Sequence, residues 1–175
     1  MAKLVEVPDF RLLEGVVAPR ILDAAHAASK ALTKANVRHA LIGGLAVGAY
    51  GYVRATKDVD FLIGEEGFEH GGGLVVTFAP GVPIEINGVA VDVLSDELVE
   101  DEVEDPIATE GIPIVSVEAL IYLKLKAHRR RDKEDVVELL KAGIDEKDVR
   151  RFVQEVAPDL LGRLDALADL ADEEE

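Results

Sequence analysis

The chain has 175 residues and a net charge of −16, with 49% apolar and 5% aromatic residues. That length suggests one domain with a helical appendage, and the apolar share suffices for a core of Val, Leu, Ile and Ala. The absence of Cys excludes disulfides, thiolate metal sites and a Cys nucleophile, and the acidic balance argues against non-specific nucleic-acid binding.

No segment reads as a signal peptide, and none approaches the roughly 20 apolar residues of a membrane span, so a cytoplasmic protein without membrane contact is expected. Residues 1–15 form an extended lead-in marked by Pro8. Over 18–35, Ile21, Ala24, Ala25, Ala28 and Leu32 recur at helical spacing. Residues 37–42 read as a strand that runs into Gly43-Gly44, and 45–50 as a helix opening from those glycines. Residues 57–63 form a second strand, with Val59, Phe61 and Ile63 on one face. A loop over 65–73, ending in Gly71-Gly72-Gly73, leads to a strand over 74–78 that Pro80-Gly81 stops. Asn87-Gly88 between the apolar runs 84–86 and 89–94 is a strong hairpin signal, because both residues tolerate positive φ. Residues 95–110 are acidic and read as a loop or loose helix, and 112–115 as a short extended piece. Ser116 is an N-cap for a helix over 117–129. Further helices are expected over 132–142, 145–156 and 158–173. The composite is α/β (α+β): a small mixed sheet flanked by helices, with a helical C-terminal third. Its division is 1–115 for the sheet with its helices and 116–175 for helices packed on it.

Negative charge gathers at 96–110 and 172–175. Positive charge gathers at Lys124, Lys126, Arg129, Arg130, Arg131 and Lys133. On an acidic chain such a basic run is either a solvated helix face or a phosphate contact. Asp58 and Asp60, two apart on a strand, project to the same face about 6.5–7 Å apart. Burying both is costly unless a cation compensates. A divalent ion is the natural solution, since Mg²⁺ takes one or two carboxylates and completes its shell with water and phosphates. The alternative is an edge strand whose acids pair with Arg54 or Lys57. Gly43-Gly44, between strand and helix, lets backbone approach a phosphate, or simply makes a tight turn. Asp92 is a lone acid in the apolar run 89–93. If its strand lies beside the first pair, three carboxylates converge, a set suited to metal-dependent phosphoryl transfer. His26 and His39 read as packing or surface residues, and His70 as solvated. His128 adjoins the basic run, and Tyr50 and Tyr52 read as core closure or a base-stacking pair.

The order strand, Gly-Gly, helix, Asp-x-Asp, then a later Asp resembles the nucleotidyltransferase superfamily. Ile42-Gly43-Gly44 and Asp58-Val59-Asp60 carry the likeness, with thirteen residues between them, a spacer at the long end for that superfamily. The run Arg54-Ala55-Thr56-Lys57-Asp58-Val59-Asp60 is similar to the abortive-infection type nucleotidyltransferases of toxin–antitoxin systems. Lys124-Leu125-Lys126-Ala127 and Arg131-Asp132-Lys133-Glu134-Asp135 are similar to two further segments of that family. Arg131 stands where those proteins have Lys. The resemblance spans roughly residues 35–142. It implies the nucleotidyltransferase fold, with NMP transfer from a nucleoside triphosphate such as ATP to an acceptor hydroxyl. Asp58, Asp60 and Asp92 would be the metal-binding catalytic acids, holding one or two Mg²⁺ ions, with Mn²⁺ as a substitute. Gly43, Gly44, Arg54, Thr56, Lys124 (or Lys126) and Arg131 would bind the nucleotide, and Asp132 and Asp135 would stand nearby. The acceptor stays open among RNA, a protein side chain and a small molecule, and a small antitoxin-like protein is an implied partner. The alternative function is a non-catalytic module of the same fold that binds a nucleotide or a protein. A third is phosphate hydrolysis at the same acids.

Overall fold

A computed structural model describes residues 7–70, 76–109 and 111–174. Helix α1 (Pro19–Lys34) starts with Pro at its first turn, where the missing N–H costs nothing. Ile21, Ala24, Ala25, Ala28 and Leu32, the five residues picked out by helical spacing, are all buried. Asn36 follows at φ 59 and reverses the chain into β1 (His39–Ile42). That strand is buried throughout, as expected of a central strand with neighbours on both sides. Next come α2 (Gly43–Ala49), β2 (Val59–Ile63), β3 (Phe68–His70), β4 (Val76–Phe78), β5 (Glu85–Ile86) and β6 (Val89–Leu94). After a 3₁₀ stretch (Glu97–Val103), β7 (Ile107–Thr109) and β8 (Ile112–Ile114) precede the helices. These are α3 (Val117–Ala127), α4 (Arg130–Lys141), α5 (Glu146–Val156) and α6 (Leu161–Glu173).

The main sheet has six strands in the order β5-β6-β2-β1-β8-β7, and β3-β4 forms a separate two-stranded ribbon. Strands β1 and β2 are antiparallel, while β2–β6 and β1–β8 are parallel, so the sheet is mixed. The β5–β6 hairpin turns on Asn87 (φ 50) and Gly88 (φ 81), the positive pair its sequence announces. Helix α1 packs on β2, β5, β6 and β8. There His39, hydrogen-bonded to Ser29 of α1 at 2.8 Å, meets Phe61 edge-on. Residues alternate faces along a strand, so Asp60 points away from α1 and toward α2. Helices α2 and α3 meet each other, and α3 also packs on α4 and α5.

Several expectations need correction. The stretch expected as a loop over 65–73 contains a 3₁₀ turn (Glu65–Gly67) and β3, which pairs with β4 and brings Phe68 to 5.7 Å from Phe78. This ribbon lacks the alternation of a half-buried strand, since Val76 and Phe78 are exposed. The expected glycine end at 71–73, the first two residues of the 74–78 strand, and Glu110 and Glu175 of the acidic stretches lie outside the described residues. The acidic segment 95–110 holds the 3₁₀ stretch, broken at Val99, and edge strand β7. Helix α3 stops two residues early, because His128 takes a left-handed conformation at φ 54. Helix α4 begins two residues early, at Arg130, because Asp132 reaches back to accept the Arg129 N–H at 3.1 Å. Strand β2 begins at Val59, so Asp58 sits just before it.

Candidate functional site

The end of β1 and the adjacent part of β2 make the floor. Ile42 lies opposite Asp60, so the chain leaves β1 directly beside that carboxylate. Gly43 then adopts φ +72, and a Cβ there would stand 2.3 Å from Asp60 Oδ2. Only glycine meets both conditions, the left-handed backbone and the close approach. A Cβ on Gly44 would lie 3.1 Å from Arg54 Nη1 and from Thr56 Oγ1. The glycine pair thus touches three of the polar residues singled out in the sequence.

On the other side of β2, Asp92 of β6 is the direct partner of Asp60. Asp58 and Asp92 are exposed and Asp60 is largely covered. The Asp60 carboxyl is pushed up to about 6, by burial first and then by the Asp92 charge, with Asp58 adding and Lys124 and Arg129 opposing. Among the described residues no ion pair engages Asp58, Asp60 or Asp92, so the edge-strand pairing with Arg54 or Lys57 does not occur. Nor are three acidic or His side chains gathered there as a ready-made metal cage. A carboxylate that is crowded by two others and engaged in no ion pair among the described residues nevertheless fits a divalent ion that shares its shell with substrate oxygens.

The facing wall comes from α3 and the start of α4, and its charges are paired. Lys124 Nζ donates to Asp132 at 3.0 Å and to Asp135 at 2.9 Å. Arg54 forks onto Asp135 through Nε at 2.8 Å and Nη2 at 2.9 Å. Arg129 Nε meets Asp132 at 2.8 Å. Asp132 is 2% exposed and Asp135 0%. Burial works to raise the Asp132 carboxyl, but Arg129 and Lys124 outweigh it and hold it below the usual range. The basic run is therefore no mere solvated face: its first lysine is an internal tie between two helices.

Between the walls lies a cleft of about 780 Å³. Its lining includes Gly43, Gly44, Arg54, Thr56, Asp58, Asp60, Asp92, Lys124 and Arg131, the residues expected to hold metal or nucleotide. Asp132 also lines it, and Asp135 sits behind. Tyr50 is fully buried and donates to the Val115 carbonyl at 2.8 Å, so it closes the core. Tyr52 and His128 do not line the cleft. His26 packs edge-on against Phe10.

Sequence reasoning passed over Asp96 and Tyr122, and it carried Lys126 only as an alternate to Lys124. Asp96 reads as one more charge in an acidic surface stretch, yet it is 7% exposed. The available signals were its spacing of four from Asp92 and the Tyr122–Lys126 pair one helical turn apart.

No protein-family model matches the chain, and no curated protein matches it. Among solved structures, the chain is similar to an antigenic nucleotidyltransferase-like protein from Paracoccidioides brasiliensis. The two are 16% identical over 92% of this chain and 95% of that one, with a TM-score of 0.42. No helix among the described residues is long and apolar enough to cross a membrane.

Proposed function

We propose that the chain is a Mg²⁺-dependent nucleotidyltransferase, which moves NMP from a nucleoside triphosphate to an acceptor hydroxyl. One observation carries the reading: Gly43 fits against Asp60 only because it lacks a side chain, and Asp60 stands beside Asp92 with no ion pair to either among the described residues. A cleft with unpaired acids on one wall and cations on the other suits a metal–polyphosphate ligand, which carries both charges.

Asp58, Asp60 and Asp92 would hold one or two Mg²⁺ ions, which when bound supply charge neutralisation at the phosphates. Gly43 and Gly44 give the phosphates a surface without side chains. Thr56, which the Gly44 backbone nearly touches, donates a hydroxyl there. Arg54, fixed by Asp135, supports the same edge. Lys124 and Arg131 offset the negative charge that develops as pyrophosphate leaves. Asp92, exposed at the rim, accepts the proton of the incoming hydroxyl. Catalysis is then chiefly positioning and charge neutralisation. The sequence resemblance to the abortive-infection type nucleotidyltransferases adds a role in a toxin–antitoxin pair, with a small protein as partner and RNA, protein or a small molecule as acceptor, and we place that role in the cytoplasm.

The test is calorimetric titration of the four ribonucleoside triphosphates, with and without Mg²⁺, into wild type and the Asp58→Asn/Asp60→Asn variant. Metal-dependent binding that the variant loses is the expected result. Wild-type protein that binds none of the four overturns the reading and leaves the non-catalytic, protein-binding alternative. Release of phosphate or pyrophosphate with no modified acceptor would point to hydrolysis instead.

A further inference from the structure

Five cations line the cleft, Arg54, Lys124, Lys126, Arg129 and Arg131, and they are not equivalent. Lys124 is 9% exposed in its side chain and divides its ammonium between two buried carboxylates. Arg54 spends its fork on Asp135, and Arg129 gives its Nε to Asp132. Pulling Lys124 or Arg54 toward a ligand weakens a buried pair, and an uncompensated buried charge is costly, while Arg129 stays 79% exposed beyond its single contact with Asp132.

Lys126 is arranged differently from Lys124 and Arg54, and unlike Arg129 it is held by a carboxylate that lies outside the Lys124–Asp132–Asp135 network. Its side chain is 58% exposed, and it meets one carboxylate, Asp96, at 2.8 Å. Asp96 itself is 3% exposed in its side chain and immobilised from two other directions. Tyr122 donates its hydroxyl at 2.9 Å, and the Leu98 N–H donates at 3.0 Å. Burial works to raise the Asp96 carboxyl, but Lys126 and Tyr122 outweigh it, so it stays charged. An ammonium has three N–H donors. One is committed to the fixed Asp96 post, and the others remain for the cleft that Lys126 lines. Lys126 is therefore a held but accessible cation, able to add a ligand oxygen without giving up its anchor.

We propose that Lys126, anchored by Asp96, is a further nucleotide-binding residue. It contacts the polyphosphate tail and so sets the preference for triphosphate over monophosphate. Asp96 is its positioning residue. The assignment rests on the nucleotidyltransferase reading and adds to it a residue pair outside the Asp58-x-Asp60 and Gly43-Gly44 motifs.

The experiment is calorimetry of the four ribonucleoside triphosphates and their monophosphates, each with Mg²⁺. The proteins are wild type, Lys126→Met, Asp96→Asn and the double variant, with far-UV circular dichroism to confirm that each is folded. Lys126→Met removes an exposed head group and leaves Asp96 its Tyr122 and Leu98 donors. Triphosphate affinity should drop about tenfold to a hundredfold, the worth of a charge-assisted contact, while monophosphate affinity stays within about twofold. Asp96→Asn should weaken triphosphate binding when Lys126 is present and have no effect in the Lys126→Met background, as expected of a residue that acts through another. If Lys126→Met keeps the triphosphate preference of wild type, the assignment is overturned while the parent reading stands. If Asp96→Asn has the same effect in both backgrounds, its positioning role is overturned. Wild-type protein that binds no triphosphate removes the parent reading and this one with it.

Discussion

The two walls of the cleft handle charge in opposite ways. On the strand side, Asp58, Asp60 and Asp92 stand together without an ion pair among the described residues, and the Asp60 carboxyl is pushed up. On the helix side, Arg54, Lys124 and Arg129 interlock with Asp132 and Asp135, and the two acids are almost wholly buried. These pairs serve as scaffold: they tie the segment before β2 to α3 and α4. The first wall forms no ion pair among the described residues, and the Gly43 backbone is fitted closely against its Asp60. The contrast makes the same kind of mutation, removal of a carboxylate, give opposite signs on the two sides.

The largest effect should come from the helix wall. Asp135→Ala leaves Arg54 and one arm of Lys124 without a partner, and breaking such a buried network costs about 3–5 kcal/mol. Chemical denaturation measures it, and a loss below 1 kcal/mol would break the comparison.

Removing the acid on the strand wall should stabilise. Asp60 is raised from 3.8 to about 6, so the folded state holds its proton more tightly than the unfolded state does. Its contribution is present below pH 4 and lost as pH rises through 6. Without divalent metal, Asp60→Asn should match wild type at pH 4, overtake it between pH 4 and 6, and level off ahead by on the order of 2 kcal/mol. Paired denaturation curves across that range read the difference, and a variant weaker than wild type at pH 7 would mean that Asp60 is already compensated. Added Mg²⁺ should narrow the gap by stabilising wild type alone.

Gly43→Ala sharpens the comparison from the backbone. The left-handed conformation alone costs a side chain about 1–2 kcal/mol, and the new Cβ must also displace the Asp60 carboxylate. Thermal melting should show the first effect. Loss of Mg²⁺-dependent triphosphate binding should show the second.

The smallest effect belongs to a third kind of charge. Arg38 meets Glu66, Glu100 and Glu104 at the surface, and the Glu104 side chain is 62% exposed. Glu104→Gln should change stability by about 0–1 kcal/mol, and added salt should shrink even that.

The sequence by itself determined the elements whose signals are local. Helix α1 shows in its apolar spacing, the β5–β6 turn in Asn87-Gly88, and the start of α3 in Ser116, whose hydroxyl accepts the Ala119 N–H. It also marked the Gly-Gly turn and the acids of the site, because Gly43 and Asp60 are types that a buried strand end tolerates only for a reason. Strand β4 shows in the apolar run 74–78, but β3 and its pairing with β4 escaped, since a three-residue strand is too short to leave a periodic trace. Tertiary structure alone decided which charges are spent. Whether Lys124 faces solvent or two buried carboxylates depends on how α4 packs on α3. Whether Asp96 is a surface acid or a buried post for Lys126 depends on how α3 sits against the end of β6. Periodicity reports the face on which a residue lies, but a charge takes its meaning from its neighbours across space, and those are fixed only when the helices dock.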